Sequence, residues 1–115
     1  MSRRAGVKPL VRRARADEDV IDAIDHCLSE SSAAGTAFAD ALEQAYRHIQ
    51  RWPATGSPRY AHALDLPGLR LWRCTRCPYL VFYVEKTDCI EVWRVLHASR
   101  DIPQWLQEGN DTNPP

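Results

Sequence analysis

Residues Leu69 to His97, LRLWRCTRCPYLVFYVEKTDCIEVWRVLH, hold three strand-forming runs joined by turns too short to allow anything but antiparallel neighbours. The runs span about Leu69 to Cys74, Tyr79 to Glu85 and Cys89 to His97, with TRCP and KTD between them. A three-stranded antiparallel meander follows. Its middle strand is apolar on both faces, with Leu80, Phe82 and Val84 on one and Tyr79, Val81 and Tyr83 on the other. Such a strand needs a cover on each side, and only one cover is evident upstream.

That cover is a pair of helices. From Asp17 to about Ser31 the apolar positions Val20, Ile21, Ile24, Cys27 and Leu28 form a helical stripe. After the small-residue break SSAAG, a second stripe runs through Phe38, Leu42, Ala45, Tyr46, Ile49 and Trp52 until Pro53 and ATGSP stop it. The short connection makes an antiparallel helix hairpin over one sheet face, leaving the other at least partly open. Upstream, VKPLVRRA (Val7 to Ala14) forms a short first strand, with Pro9 confining it to an edge or to its own beginning.

Downstream, RVLHASRDIPQWL (Arg94 to Leu106) changes from strand to helix. Asp101 serves as N-cap, Pro103 fits a first turn, and Gln104 stands three residues after the cap. This last helix is short and ends near Gly109. The order β-α-α-β-β-β plus a small helix is α+β: one domain over residues 1–115, frayed at about 1–6 and 109–115.

An apolar fraction of 44% and four tryptophans exclude a disordered chain. No apolar run reaches membrane-spanning length, and MSRRAGVKPLVRR lacks the apolar segment of a secretory signal, so the expected location is cytoplasmic. Charge is segregated. Six basic residues precede the first acid, and Asp17, Glu18, Asp19, Asp22, Asp25 and Glu30 then follow without Lys or Arg among them. That pattern suits a partner of complementary charge, or simply a helix with acids near its N-terminus. Cys74 and Cys77 have the spacing of a zinc knuckle, but Cys27 and Cys89 make no second pair. The expectation is reduced thiols, no metal and no cofactor.

Two residue types, arginine and histidine, carry the candidate chemistry. Strict alternation puts Arg94 on one face with Ile90, Val92 and Leu96, where it needs an ion pair (Glu43 or Asp65 are candidates) or a bulge that rotates it away. Alternatively Arg70, Arg73 and Arg94 present guanidinium groups on the open sheet face, suited to phosphate or acidic side chains. His97, at the end of the strand, is placed to act as a general base or to cap the strand. His26, His48 and His62 share no metal-ligand spacing, and no nucleophile elbow, phosphate loop or carboxylate pair is present.

Taken together, RARADEDVIDAIDHCL, RWPATGSPR, LPGLR, YLVFYV and RVLHASRD, in this order from about Val7 to Leu106, resemble a ParE-type toxin of the RelE/ParE superfamily. The resemblance implies the toxin of a type II toxin–antitoxin pair, neutralised by a ParD-like antitoxin. It implies inhibition of DNA gyrase by binding; the alternatives are a RelE-type mRNA endoribonuclease acting in the ribosome, and a non-toxic or decayed binding module. An RNase would use His97, Arg70, Arg94 and Arg100. A gyrase inhibitor has no catalytic residues, and His97, Arg100 and Trp105 are then the target-binding candidates. Tyr79, Val81 and Tyr83 are the candidates for antitoxin contact.

Overall fold

The computed structural model describes residues 7–111. In chain order the elements are β1 (Leu10–Arg12), α1 (Ala14–Glu30), α2 (Ser32–Arg51), α3 (Arg59–Ala63), β2 (Leu69–Arg73), β3 (Tyr79–Glu85), β4 (Ile90–His97) and α4 (Ile102–Asp111). A 3-10 turn, Pro53–Thr55, sits between α2 and α3. The expected α+β order holds. The expected frayed residues 1–6 and 112–115 lie outside the described residues, and α4 continues past the expected stop at Gly109.

The meander gains a fourth strand. The sheet order is β1-β4-β3-β2, with β1 parallel to β4 and Leu10 opposite Ile90. β1 is shorter than expected because α1 starts at Ala14. The hairpin turn is tighter than SSAAG suggests. Ser31 alone separates the helices, and its hydroxyl accepts the Ala34 N–H at 2.9 Å as the N-cap of α2. Gly35 then lies inside α2, where a Cβ would collide with the Leu28 side chain of α1.

α1 buries only small residues against the sheet (Ala16, Ala23 and Cys27), so it approaches β4 closely. α2 contributes Phe38, Leu42, Ala45 and Ile49, at the i, i+4, i+7, i+11 spacing of one helix face. Beneath them lie Tyr79, Val81, Tyr83, Ile90, Val92 and Val95. Each such fully buried large side chain stabilises the fold by about 1.5–3 kcal/mol.

The second face is also covered. α3 and α4, with the loops beside them, form a second core of Leu69, Phe82, Leu96, Ile102 and Leu106. α3 was not expected at all; it is a five-residue helix within a stretch that reads as loop.

Candidate functional site

The pairing of β3 with β4 slips between Phe82 and Tyr83. Phe82 faces Arg94 while Tyr83 faces Val92, so Trp93 is the extra residue of a bulge. This changes the phase of β4. Ile90, Val92 and Val95 point to the helix hairpin, whereas Arg94 and Leu96 share the other face with Phe82 and Leu80. The uninterrupted alternation expected from the sequence, with Ile90, Val92, Arg94 and Leu96 together, is thereby corrected.

Arg94 is 2% exposed. Its Nε and Nη2 donate to the two carboxylate oxygens of Asp19, each at 2.8 Å, and its Nη1 donates to the Trp105 carbonyl at 2.7 Å. Asp19, on α1, also accepts the Val95 N–H at 3.0 Å. β1 has run out by this point, so the Asp19 carboxylate satisfies a β4 edge group that no strand reaches. The partner of Arg94 is therefore neither Glu43, which pairs with Arg47, nor Asp65.

Around this pair lies a cleft of about 280 Å³ between α1, the end of β4 and α4. Asp22 and His26 line it from α1; His97, Ser99, Arg100 and Trp105 line it from the opposite side. The α4 start is built as expected: the Gln104 N–H reaches Asp101 Oδ1 at 3.3 Å, which sets Trp105 in the first turn facing the cleft. Arg94 and Arg100 lie over the Trp105 ring at 5.6 and 4.5 Å. His97 Nδ1 accepts from the Ser99 N–H at 3.0 Å and contacts the Ser99 hydroxyl at 2.8 Å. The neutral ring thus carries its proton on Nε2. Tyr79 packs edge-on against both His97 and Phe38, and burial pushes its hydroxyl above the ordinary tyrosine value.

The structure brings His97, Arg100 and Trp105 together. It sets Arg70 elsewhere, on β2, where its Nη1 donates to the Gly56 carbonyl at 2.7 Å. The four residues an RNase would use are therefore not one constellation. Tyr79, Val81 and Tyr83 need the plainest correction as antitoxin contacts. They are 7%, 0% and 0% exposed beneath the helix hairpin, so they form core rather than an open face. Asp19, Asp22 and His26 were missed. Their 19-22-26 spacing places them on one face of α1, a legible polar stripe within the acidic run.

Cys74 is buried and Cys77 half-buried at the β2–β3 turn. Burial pushes the Cys74 thiol up to about 12 and raises Cys27 as well. No cluster of three or more His, Cys, Asp or Glu suited to a metal ion occurs among the described residues. None of their helices is long and apolar enough to cross a membrane.

A short N-terminal strand, a helix hairpin on an antiparallel meander and a short C-terminal helix make the α+β arrangement that the resemblance to RelE/ParE-type domains implies. The family model for the ParE toxin of type II toxin–antitoxin system, parDE, matches residues 10–102. Among solved structures, a chain of the chromosomal ParDE toxin–antitoxin system from P. aeruginosa is similar in fold. It has a TM-score of 0.67 at 22% identity, covering 83% of this chain and 100% of that one. Among curated proteins none matches. The chain belongs to the ParE toxin family of type II toxin–antitoxin systems.

Proposed function

We propose that this chain is a cytoplasmic toxin that inhibits DNA gyrase by binding it, without cutting nucleic acid, and that a ParD-like antitoxin neutralises it. One observation carries the choice between binding and cleavage: Arg94 is fully engaged by Asp19 and the Trp105 carbonyl. Cleavage by 2′-hydroxyl attack needs a base, an acid and a free cation over the phosphate. Among the described residues that line the cleft with His97, only Arg100 is such a cation, and the carboxylate of Asp22 lines the same cleft and repels a phosphate. Trp105 and Arg100 are residue types that anchor protein interfaces, and with His97 they are the proposed target contacts.

For the antitoxin, the outer face of α1 is the proposed docking surface. Ile21 and Leu28, seven residues apart on one helix face, are 60% and 50% exposed. They suit an amphipathic segment that orders on binding, with basic residues beside the acids of α1.

The test runs purified protein in two assays: plasmid supercoiling by gyrase, and ribosome-dependent mRNA cleavage. Supercoiling stops while mRNA stays intact, and Trp105→Ala weakens inhibition by about 30-fold, as for a hot spot of about 2 kcal/mol. Codon-phased mRNA cuts lost in His97→Ala, with gyrase unaffected, would refute the reading and favour the RNase.

A further inference from the structure

Charge is sorted in this fold more sharply than the N-terminal pattern suggests. Residues 16–46 hold eight acids and neither Lys nor Arg, whereas residues 47–84 hold six arginines and a single acid, Asp65. The second segment folds around β2, the sheet edge farthest from β1. Ser57 closes that edge, its N–H and carbonyl exchanging hydrogen bonds of 2.9 Å with Leu71. Arg59 follows the bridge by two residues as the first residue of α3, and Arg73 ends β2 two residues beyond Leu71. Arg51, at the end of α2, completes an exposed ridge. Among the described residues none of these three has a carboxylate within 4.0 Å.

Aromatic rings support the ridge. The Arg51 guanidinium lies 5.9 Å from the Trp52 ring, Arg59 lies 5.3 Å from Tyr60, and His48 stacks on Trp72 at 3.8 Å. Tyr60 and Trp72 are half-buried with one face taken, which leaves Trp52 as the open ring here for an unpaired base among the described residues. The surface lacks the apolar centre of a protein interface: Trp52, 54% exposed, is its one open large hydrophobic, and it sits by Arg51. What remains is a set of exposed guanidinium groups, one each from α2, α3 and β2 around the bridged sheet edge, a residue type suited to phosphates.

We propose that the β2-edge ridge of Arg51, Arg59 and Arg73 binds the phosphate backbone of duplex DNA. It lies across the sheet from the β4–α4 cleft, and the inference does not depend on gyrase. The test therefore uses the full chain and DNA alone, following the fluorescence anisotropy of a labelled random-sequence duplex. Three phosphate contacts give a log–log salt slope of about −2.7, or about 40-fold weaker binding between about 50 and 200 mM salt. The variant R51A/R59A/R73A, its fold checked by circular dichroism, loses essentially all of that slope, about 2.7 units. Arg15→Ala, which removes one positive charge near β1, leaves both slope and affinity in place. Absence of binding at low salt overturns the proposal, as does unchanged binding by the triple variant. Equal affinity for a single strand of the same sequence overturns the duplex assignment.

Discussion

Replacing Asp19 by alanine removes a side chain that is 9% exposed and strands a guanidinium that is 3% exposed. Three hydrogen bonds go at once: two from Arg94 at 2.8 Å and one from the Val95 N–H at 3.0 Å. Breaking one side of a buried pair costs about 3–5 kcal/mol, because the remaining charge stays desolvated and alone. The bond to the Trp105 carbonyl keeps Arg94 partly satisfied, which places the expected loss near the lower end of that range, about 3 kcal/mol. A domain of this size has about 5–15 kcal/mol in all, so the variant should remain folded but with a much lower urea midpoint. The double variant Asp19→Leu with Arg94→Met separates pairing from packing: exchanging both charges for apolar groups recovers most of the loss. Both variants are read by urea unfolding at constant m-value. A loss below about 1 kcal/mol in Asp19→Ala, the scale of an exposed ion pair, refutes the reasoning.

Tyr46 carries a buried hydroxyl with no hydrogen-bond partner among the described residues, and burial raises its pKa. Tyr46→Phe should therefore raise stability by about 1 kcal/mol, read as an increased Tm; a decrease contradicts the assignment. Burial works against the Glu91 carboxylate, but hydrogen bonds from Arg13 and Trp93, with the charges of Arg13 and Lys86, hold it below the usual 4.5. Because the folded value is the lower one, its contribution is present above the unfolded value and disappears as pH falls through the folded one. Glu91→Gln should flatten the acid limb of a stability–pH curve read by urea unfolding, and an unchanged limb contradicts the assignment. With the Cys74 thiol pushed up to about 12, its thiolate is about a thousandfold scarcer than that of an ordinary cysteine. A disulfide reagent should modify Cys77 and Cys89 first, and rapid labelling of native Cys74 would contradict its burial.

The meander was legible because TRCP and KTD leave no choice of strand direction, and both helices were legible because each carries an apolar stripe of more than two turns. A bulge in β4 was one of the alternatives the sequence left open for Arg94, but its place at Trp93 was not legible. CIEVWRVLH alternates acceptably as a straight strand, and the slip is set by what α1 and α4 require of Arg94, residues distant in sequence. For the same reason Asp19 could not be picked out from six neighbouring acids: its role depends on a partner 75 residues away. Tyr79, Val81 and Tyr83 were misassigned because two apolar faces on β3 suggested an open one, whereas the unforeseen α3 and the short α4 cover Leu80, Phe82 and Val84. His97, Arg100 and Trp105 were found together because strand end, turn and cap are local chemistry.

The parallel pairing of β1 with β4 also bears on the order in which the molecule can be made. Leu10 waits for Ile90, and Asp19 waits for Arg94, so the first strand and the first helix have no settled place until the last strand has been synthesised. β4 lies between β1 and β3, and a nascent chain lacking it has neither a central strand nor a charge to match Asp19. Contacts this distant in sequence slow folding and come late in it. On the ribosome, a shortened or stalled product therefore holds the acidic hairpin without the sheet that orients it. The cleft, built from α1, β4 and α4, comes into being only after α4 has been synthesised.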